Sequence, residues 1–270
     1  MNFDLHIHTT HSDGTFTVPE IVEKAKKLKL NTIAITDHDT LSGLKHISEL
    51  ETEDLKIIPG IEFSIIYKEQ GLHLLGYFIN PEDLNITKKL EDLQLKRQNR
   101  ANKIIEKLKG MGMIIDQKLL SNITNGSDSF GRPHIAKALQ SLGYVQTVEE
   151  AFDRFIGKGG PAFVPNEKLT IEEAIKLIHQ AGGVAILAHP YLSIKNEEAI
   201  PQLLKDLISL GLDGVEVFYP KHTDAQIYEL LKFSKEHGLK ITGGSDFHGL
   251  NKPNIQIGQH LSTTNAYFSI

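Results

Sequence analysis

The 270-residue chain has no cysteine and no tryptophan, and only 3 methionines. Without a thiol there is no disulfide framework, no cysteine-ligated metal and no thiolate nucleophile, and a reducing cytoplasm is the expected location. No apolar run reaches the ~18 residues a membrane-spanning helix needs, and no membrane association is expected. The opening Met-Asn-Phe-Asp-Leu-His lacks the basic-then-apolar layout of a signal peptide. A positive balance is also missing: 29 Lys and Arg face 34 Asp and Glu, a net charge of −5. Such a chain is ill suited to tracking long nucleic acid by neutralising phosphates, although it can bind one or two phosphates locally. Repeats, low-complexity tracts and Pro/Ser linkers are absent. What is left, at 40% hydrophobic and 23% charged residues, is one large globular domain, or one carrying an insertion. Nothing in the sequence speaks to oligomeric state.

Short β-rich runs alternate with amphipathic helical runs. Residues 3–8, 32–37, 57–67, 72–79, 184–189, 214–218 and 240–244 read as seven strands, most of them continuous runs suited to burial on both faces. Thr17, Thr147, Thr170 and Thr223 each stand three residues before a Glu or Gln, the capping-box signature of a helix start. This alternation implies an α/β protein with a parallel sheet or barrel. The exception is 57–67 and 72–79, separated only by Lys68-Glu-Gln-Gly71, which reads as a hairpin.

Residues 80–165 break the alternation and read as helical, with a long charged helix over 86–109. This segment is expected to be an inserted cap, leaving 1–79 and 166–270 as the body. It holds 13 Lys/Arg and 10 Asp/Glu, whereas the remainder holds 16 and 24. A positive insertion beside a negative body suits an anionic ligand bound together with cations.

Six of the 13 histidines stand at or near strand ends, in short motifs with Asp, Glu, Gly or Pro. His6 and His8 occupy positions i and i+2 of the first strand and face one way. Asp13 follows in a Ser-Asp-Gly turn, and the second strand ends in Thr36-Asp-His38. Glu62 lies in Gly60-Ile-Glu62, His73 begins the hairpin partner, the fifth strand ends in Ala188-His189-Pro, and the last ends in Ser245-Asp246-Phe-His248. In parallel α/β sheets and barrels the ligand crevice lies at the C-terminal strand ends. Six imidazoles with three carboxylates exceed the needs of one tetrahedral ion, so a cluster of two or three divalent ions is expected. Manganese is favoured, with iron and zinc compatible. His11, His46, His179, His237 and His260 read as surface or helix residues.

These segments, Asp4-Leu-His-Ile-His-Thr9, Ser12-Asp-Gly14, Ile35-Thr-Asp-His38, Gly60-Ile-Glu62, Ala188-His-Pro190 and Gly244-Ser-Asp-Phe-His248, resemble those of PHP-domain phosphoesterases, the polymerase and histidinol phosphatase superfamily. Gly131-Arg-Pro-His-Ile-Ala136 and Gly157-Lys-Gly-Gly-Pro-Ala-Phe-Val164 resemble the subgroup with an inserted helical domain, which contains 3′,5′-nucleoside bisphosphate phosphatases and a bacterial 5′→3′ exoribonuclease. The resemblance spans nearly the whole chain. It implies a distorted seven-stranded β/α barrel. It also implies one ion held by His6, His8, Glu62 and Asp246, a second by Asp13, His38 and His248, and a third by Glu62, His73 and His189. Of these, Asp13, His38, Glu62, Asp246 and His248 are read as catalytic. Asp37 is outside the ligand set and is expected either to orient a ligand imidazole or to serve a turn. Glu216 and His222 receive no assignment.

No Ser stands in a nucleophile-elbow motif, and thiols are absent, so direct hydrolysis of a phosphate ester by metal-bound hydroxide is expected. Arg97, Arg100, Arg132 and His134 in the insertion are expected to bind substrate through a second phosphate, since guanidinium grips phosphate in bidentate fashion. The favoured activity is removal of the 3′-phosphate from a 3′,5′-bisphosphonucleotide, such as adenosine 3′,5′-bisphosphate to AMP. Alternatives are a 5′→3′ exoribonuclease on short 5′-phosphorylated RNA, a histidinol phosphatase and a non-catalytic metal- or nucleotide-binding module. The expected partner is a small phosphorylated nucleotide or a short RNA end.

Overall fold

The computed structural model describes residues 2–124, 131–165, 168–262 and 266–270. The apolar runs become strands: β1 (Phe3–Ile7), β2 (Thr32–Ile35), β3 (Lys56–Tyr67), β4 (Gln70–Tyr77), β5 (Leu169–Thr170), β6 (Val184–Leu187), β7 (Gly214–Phe218) and β8 (Lys240–Gly243). Every residue of β1, β2 and β7 is buried, as strands covered on both faces require. The sheet runs in the order β1-β2-β3-β4-β6-β7-β8, with the two-residue β5 paired to β3 off this path. Pairing is parallel except where β4 meets β3 and β6. β1 meets the segment just after β8 through an isolated parallel bridge, Ile7 to Phe247. There the His8 N–H donates to Phe247 O and the Asp246 N–H to His6 O, both at 2.9 Å. The result is an α/β architecture in which a distorted seven-strand path returns on itself.

Several expected strands end earlier than their apolar runs suggest. His8 and His189 lie just beyond β1 and β6, and His38, three residues past β2, makes an isolated parallel bridge to Glu62. The hairpin is tighter than Lys68–Gly71, because Tyr67 pairs with Gln70 and leaves a two-residue turn. Lys68 and Glu69 both have positive φ, 45° and 66°, as a turn matched to strand twist demands. Thr17, Thr170 and Thr223 form complete capping boxes, and the Thr147 side chain accepts from Glu150 N.

The chain divides into two compact units, residues 1–88 with 168–270, and residues 89–167. The first division falls inside the helix Leu84–Gly110, rather than at residue 80. The smaller unit is helical among its described residues and has its own core, including Ile104, Leu108, Ile135, Leu139 and Ile156. Among the described residues no helix is long and apolar enough to cross a membrane.

Candidate metal centre

Loop and strand geometry in the larger unit draws nine side chains together. The chain after β1 folds back at once: Ser12 N and Gly14 N both donate to Thr9 O, at 3.1 and 3.0 Å. Only glycine fits at position 14, where a Cβ would lie 2.4 Å from His8 O. This turn brings Asp13 beside the histidines. Asp37 fastens it, accepting from Thr9 N (2.7 Å), Thr9 Oγ1 (2.8 Å) and Ser12 Oγ (2.5 Å). Asp37 therefore serves the turn, and no ligand imidazole bonds to it.

Glu62, with a side chain 1% exposed, is the centre of the arrangement. Its Oε2 lies 3.1 Å from His6 Nε2, 3.0 Å from His8 Nε2 and 3.2 Å from His38 Nδ1. Its Oε1 lies 2.8 Å from His73 Nδ1 and 3.1 Å from His189 Nε2. Asp246 Oδ1 stands 3.4 Å from His8 Nε2 and 3.3 Å from His248 Nδ1, and Asp13 Oδ1 stands 3.2 Å from His248 Nε2. Two of the nine, His189 and Asp246, hold the left-handed backbone (φ 26° and 58°) that non-glycine residues rarely adopt. Such strain persists where surrounding contacts over-determine it, often at functional sites.

The ligand-type atoms fall into three overlapping groups: His8, Asp13, His38 and His248; His6, His8, Glu62 and Asp246; and His38, Glu62 and His73. The first adds His8 to the trio expected from sequence. The third brings His38 together with Glu62 and His73, and His189 Nε2 stands on the same Glu62 Oε1 as His73. Chemistry supports cation binding here. His6 Nε2, His8 Nε2, Asp13 Oδ1, His38 Nδ1, Glu62 Oε2 and His73 Nδ1 are buried without a hydrogen bond, although they crowd one another. Buried polar atoms ordinarily have partners. Lone pairs converging on common points without one are what a cluster of divalent ions would satisfy.

Burial alone would depress His6 and His8. The carboxylates of Glu62, Glu216 and Asp246 outweigh it at His6, which is held well above its ordinary value, and Asp246 and Glu62 raise His8 to about 9. Burial pushes His38 down to about 3 against the pull of Glu62 and Asp13. Burial also opposes ionisation of Glu62, Asp13 and Asp246, but the surrounding imidazoles hold all three well below the usual carboxylate range. Above pH ~6.5 the carboxylates are ionised in the folded and unfolded chains alike, and His38 is neutral in both. Only the raised histidines then act. Their stabilisation of the metal-free fold is complete below the unfolded value and disappears as pH climbs through the folded one. The metal-free protein should therefore melt at progressively lower temperature from pH 6.5 to about 9. Manganese affinity should rise across the same interval, with release of protons. Melting curves and calorimetric titration in buffers of different ionisation enthalpy test both. A flat melting temperature and no proton release would refute the assignment.

Three contacts escaped the sequence reading. Glu216 Oε1 meets His6 Nδ1 at 2.9 Å. Tyr219 Oη and Lys252 Nζ donate to Asp246 Oδ2, at 3.1 and 2.7 Å. None stands in a ligand-like motif, and only the fold brings them here. His260, read as a surface or helix residue, lies in the short helix Gln259–Ser262 and is fully buried against the Phe3 ring, at 4.9 Å between centroids.

In the smaller unit, Arg97 and Arg100 lie on the helix Leu84–Gly110, and Arg132 and His134 lie on the first turn of the helix Arg132–Ser141. Arg100 Nε donates to Val164 O at 2.8 Å. Burial, followed by repulsion from Arg132 and Arg97, lowers Arg100 to about 10, and burial lowers Arg132. His134 Nδ1 accepts from Gly131 N at 3.3 Å. All four arginines of the chain (Arg154 is the other) lie in this unit. Guanidinium groups that repel one another beside a helix N-terminus are suited to an anion.

A sequence family described as the PHP domain matches residues 4–181. Among curated relatives, the 5′-3′ exoribonuclease of Haemophilus influenzae is 33% identical over 91% of this chain and 89% of its own. The 3′,5′-nucleoside bisphosphate phosphatase of Chromobacterium violaceum is 26% identical over 95% of this chain and 90% of its own. A solved structure from Bifidobacterium adolescentis, described as a metal-dependent phosphoesterase, superposes with a TM-score of 0.82 at 30% identity, covering 95% of this chain and 91% of that one.

Proposed function

This chain belongs to the PHP domain family and is a metal-dependent phosphoesterase; we propose that it hydrolyses nucleoside 3′,5′-bisphosphates, removing the 3′-phosphate. The observation that carries the reading is the convergence of five imidazoles on the two oxygens of Glu62, with Asp13, Asp246 and His248 alongside. We assign His6, His8, Asp13, His38, Glu62, His73, His189, Asp246 and His248 as ligands of two or three divalent ions. Manganese suits this donor set, as do iron and zinc. Such ions would supply an activated water and stabilise charge on the phosphoryl oxygens. Water adds at phosphorus, the P–O bond to the sugar breaks, and the 3′-oxygen leaves with a proton. The chain's own part is to fix the ions. Glu62 offers both oxygens, Asp246 offers Oδ1 while Tyr219 and Lys252 restrain Oδ2, and His248 Nδ1 donates to Asp246 O at 2.8 Å, which turns Nε2 toward Asp13 Oδ1.

Substrate choice is assigned to the helical unit. Arg97, Arg100, Arg132 and His134 would take the phosphate that is not cut. Supporting this are the mutual repulsion of the guanidinium groups and the bisphosphate activity named for the C. violaceum relative. The exoribonuclease name of the H. influenzae relative favours a second reading, removal of nucleotides from a short RNA 5′ end.

The experiment is phosphate release with added manganese from adenosine 3′,5′-bisphosphate, AMP, histidinol phosphate and a short 5′-phosphorylated RNA. Release from the bisphosphate with AMP left intact is expected. Activity confined to histidinol phosphate would refute the reading, and stepwise shortening of the RNA alone would favour the second one. In the same assay Arg132→Ala should raise KM for the bisphosphate about 10- to 100-fold, the loss of a charge-assisted contact worth about 1.5–3 kcal/mol. It should barely change KM for a monophosphate. Equal effects on both substrates would remove the second-phosphate role.

A further inference from the structure

β7 contributes no candidate ligand, yet it touches two. Glu216, in its middle, is fully buried. A buried carboxylate is costly unless its oxygens are hydrogen-bonded, and both are used. Oε1 meets His6 Nδ1 and Oε2 accepts from the backbone N–H of His189, each at 2.9 Å. These partners serve opposite sides of one group, since His6 Nε2 faces Glu62 Oε2 and His189 Nε2 faces Glu62 Oε1. Just beyond the same strand, Tyr219 bonds Asp246. Resting on the ligand assignments above, we propose that Glu216 is a positioning residue for the metal cluster, fixing the His6 tautomer and the backbone of His189 at once.

A carboxylate can only accept, so the proton that His6 keeps when it binds an ion is the one on Nδ1, and Nε2, beside Glu62 and Asp246, is the nitrogen that gives up its proton to the ion. Without that acceptor the imidazole could carry its proton on Nε2, where it cannot bind an ion. The second bond acts on conformation. His189 sits at φ 26°, ψ 62°, a region that persists only when neighbours enforce it. The Glu216 bond to its N–H does so at the residue whose ring flanks Glu62. The orienting role considered for Asp37 is thus placed on a residue 210 positions from His6 in the chain.

The test is Glu216→Gln in the full chain, stripped of metal and titrated with manganese beside the wild type. Glutamine keeps the size, but its amide nitrogen must face either His6 Nδ1–H or the His189 N–H, donor against donor. Manganese affinity should fall about 10- to 100-fold, with fewer ions per chain at saturation, while the metal-free variant melts near the wild type. Unchanged affinity and stoichiometry would overturn the proposal. So would a large fall in metal-free stability with normal affinity, which a purely structural role would give. Should the variant not fold, ¹⁵N-histidine spectra of the zinc-loaded wild type decide: a proton on His6 Nδ1 with metal on Nε2 is expected, and the reverse overturns it. A wild type that binds no metal would instead remove the ligand assignments and this inference with them.

Discussion

Glu62→Gln should lower kcat/KM by about 10³-fold or more and leave the purified protein short of at least one bound ion. The size of the effect follows from position. Five imidazole nitrogens lie within 2.8–3.2 Å of its two oxygens. Glutamine preserves the shape but replaces one oxygen with an NH₂ that points protons at nitrogens meant to share a cation. It also deletes the charge that helps hold His6 and His8 above their ordinary values. Bound metal contributes several kcal/mol to charge stabilisation in phosphoryl transfer, and about 4 kcal/mol corresponds to ~10³ in rate. Metal content by mass spectrometry and steady-state kinetics in saturating manganese check the two halves. Wild-type turnover with a full metal complement would disprove the central role of Glu62.

Gly244→Ala should disable the same centre without replacing any candidate ligand. A Cβ at 244 would lie 2.3 Å from His6 Cβ and 2.5 Å from His6 N. Neither atom is the end of a flexible side chain, so the backbone itself must part. Gly244 is tied on its other side, where its N–H donates to Phe218 O at 3.0 Å. The strain therefore falls on the junction of β1 with residues 244–246, which places His6 against Asp246. Overpacking of this kind costs about 1–3 kcal/mol, occasionally more. A displacement of ~1 Å among groups that act together can lower activity ~10²-fold. Lowered melting temperature and manganese affinity are expected together. Gly110→Ala is the control, since a Cβ there meets nothing within 4 Å. If both variants bind manganese equally well, the close approach at Gly244 does not shape the site.

How much of this was legible beforehand follows from the range of each interaction. Strand positions could be read because burial on both faces demands continuous apolar runs. Helix starts could be read because a cap and its partner lie three residues apart. β5 could not, since two residues carry no periodicity and Thr170 also caps the following helix. The hairpin turn is narrower than Lys68–Gly71 because cross-strand register, which no local residue pattern encodes, puts Lys68 and Glu69 in the left-handed positions. The burial of His260 has no local signal, since nothing nearby in sequence separates an exposed helix histidine from one buried against Phe3.

The nine candidate ligands were identifiable because imidazoles and carboxylates recur at the ends of strands that a parallel architecture must bring to one edge. The sequence by itself determined the donor chemistry and its place in the fold. Tertiary structure decided which candidate ligands lie together, bringing His38 beside Glu62 and His73, and His8 beside Asp13 and His248. It alone gave Glu216, Tyr219 and Lys252 their places. A ligand announces itself by residue type in a local motif. The residue that holds it in place is specified by a contact across the fold, 210 positions away for Glu216 and His6, and no short stretch of sequence encodes that distance.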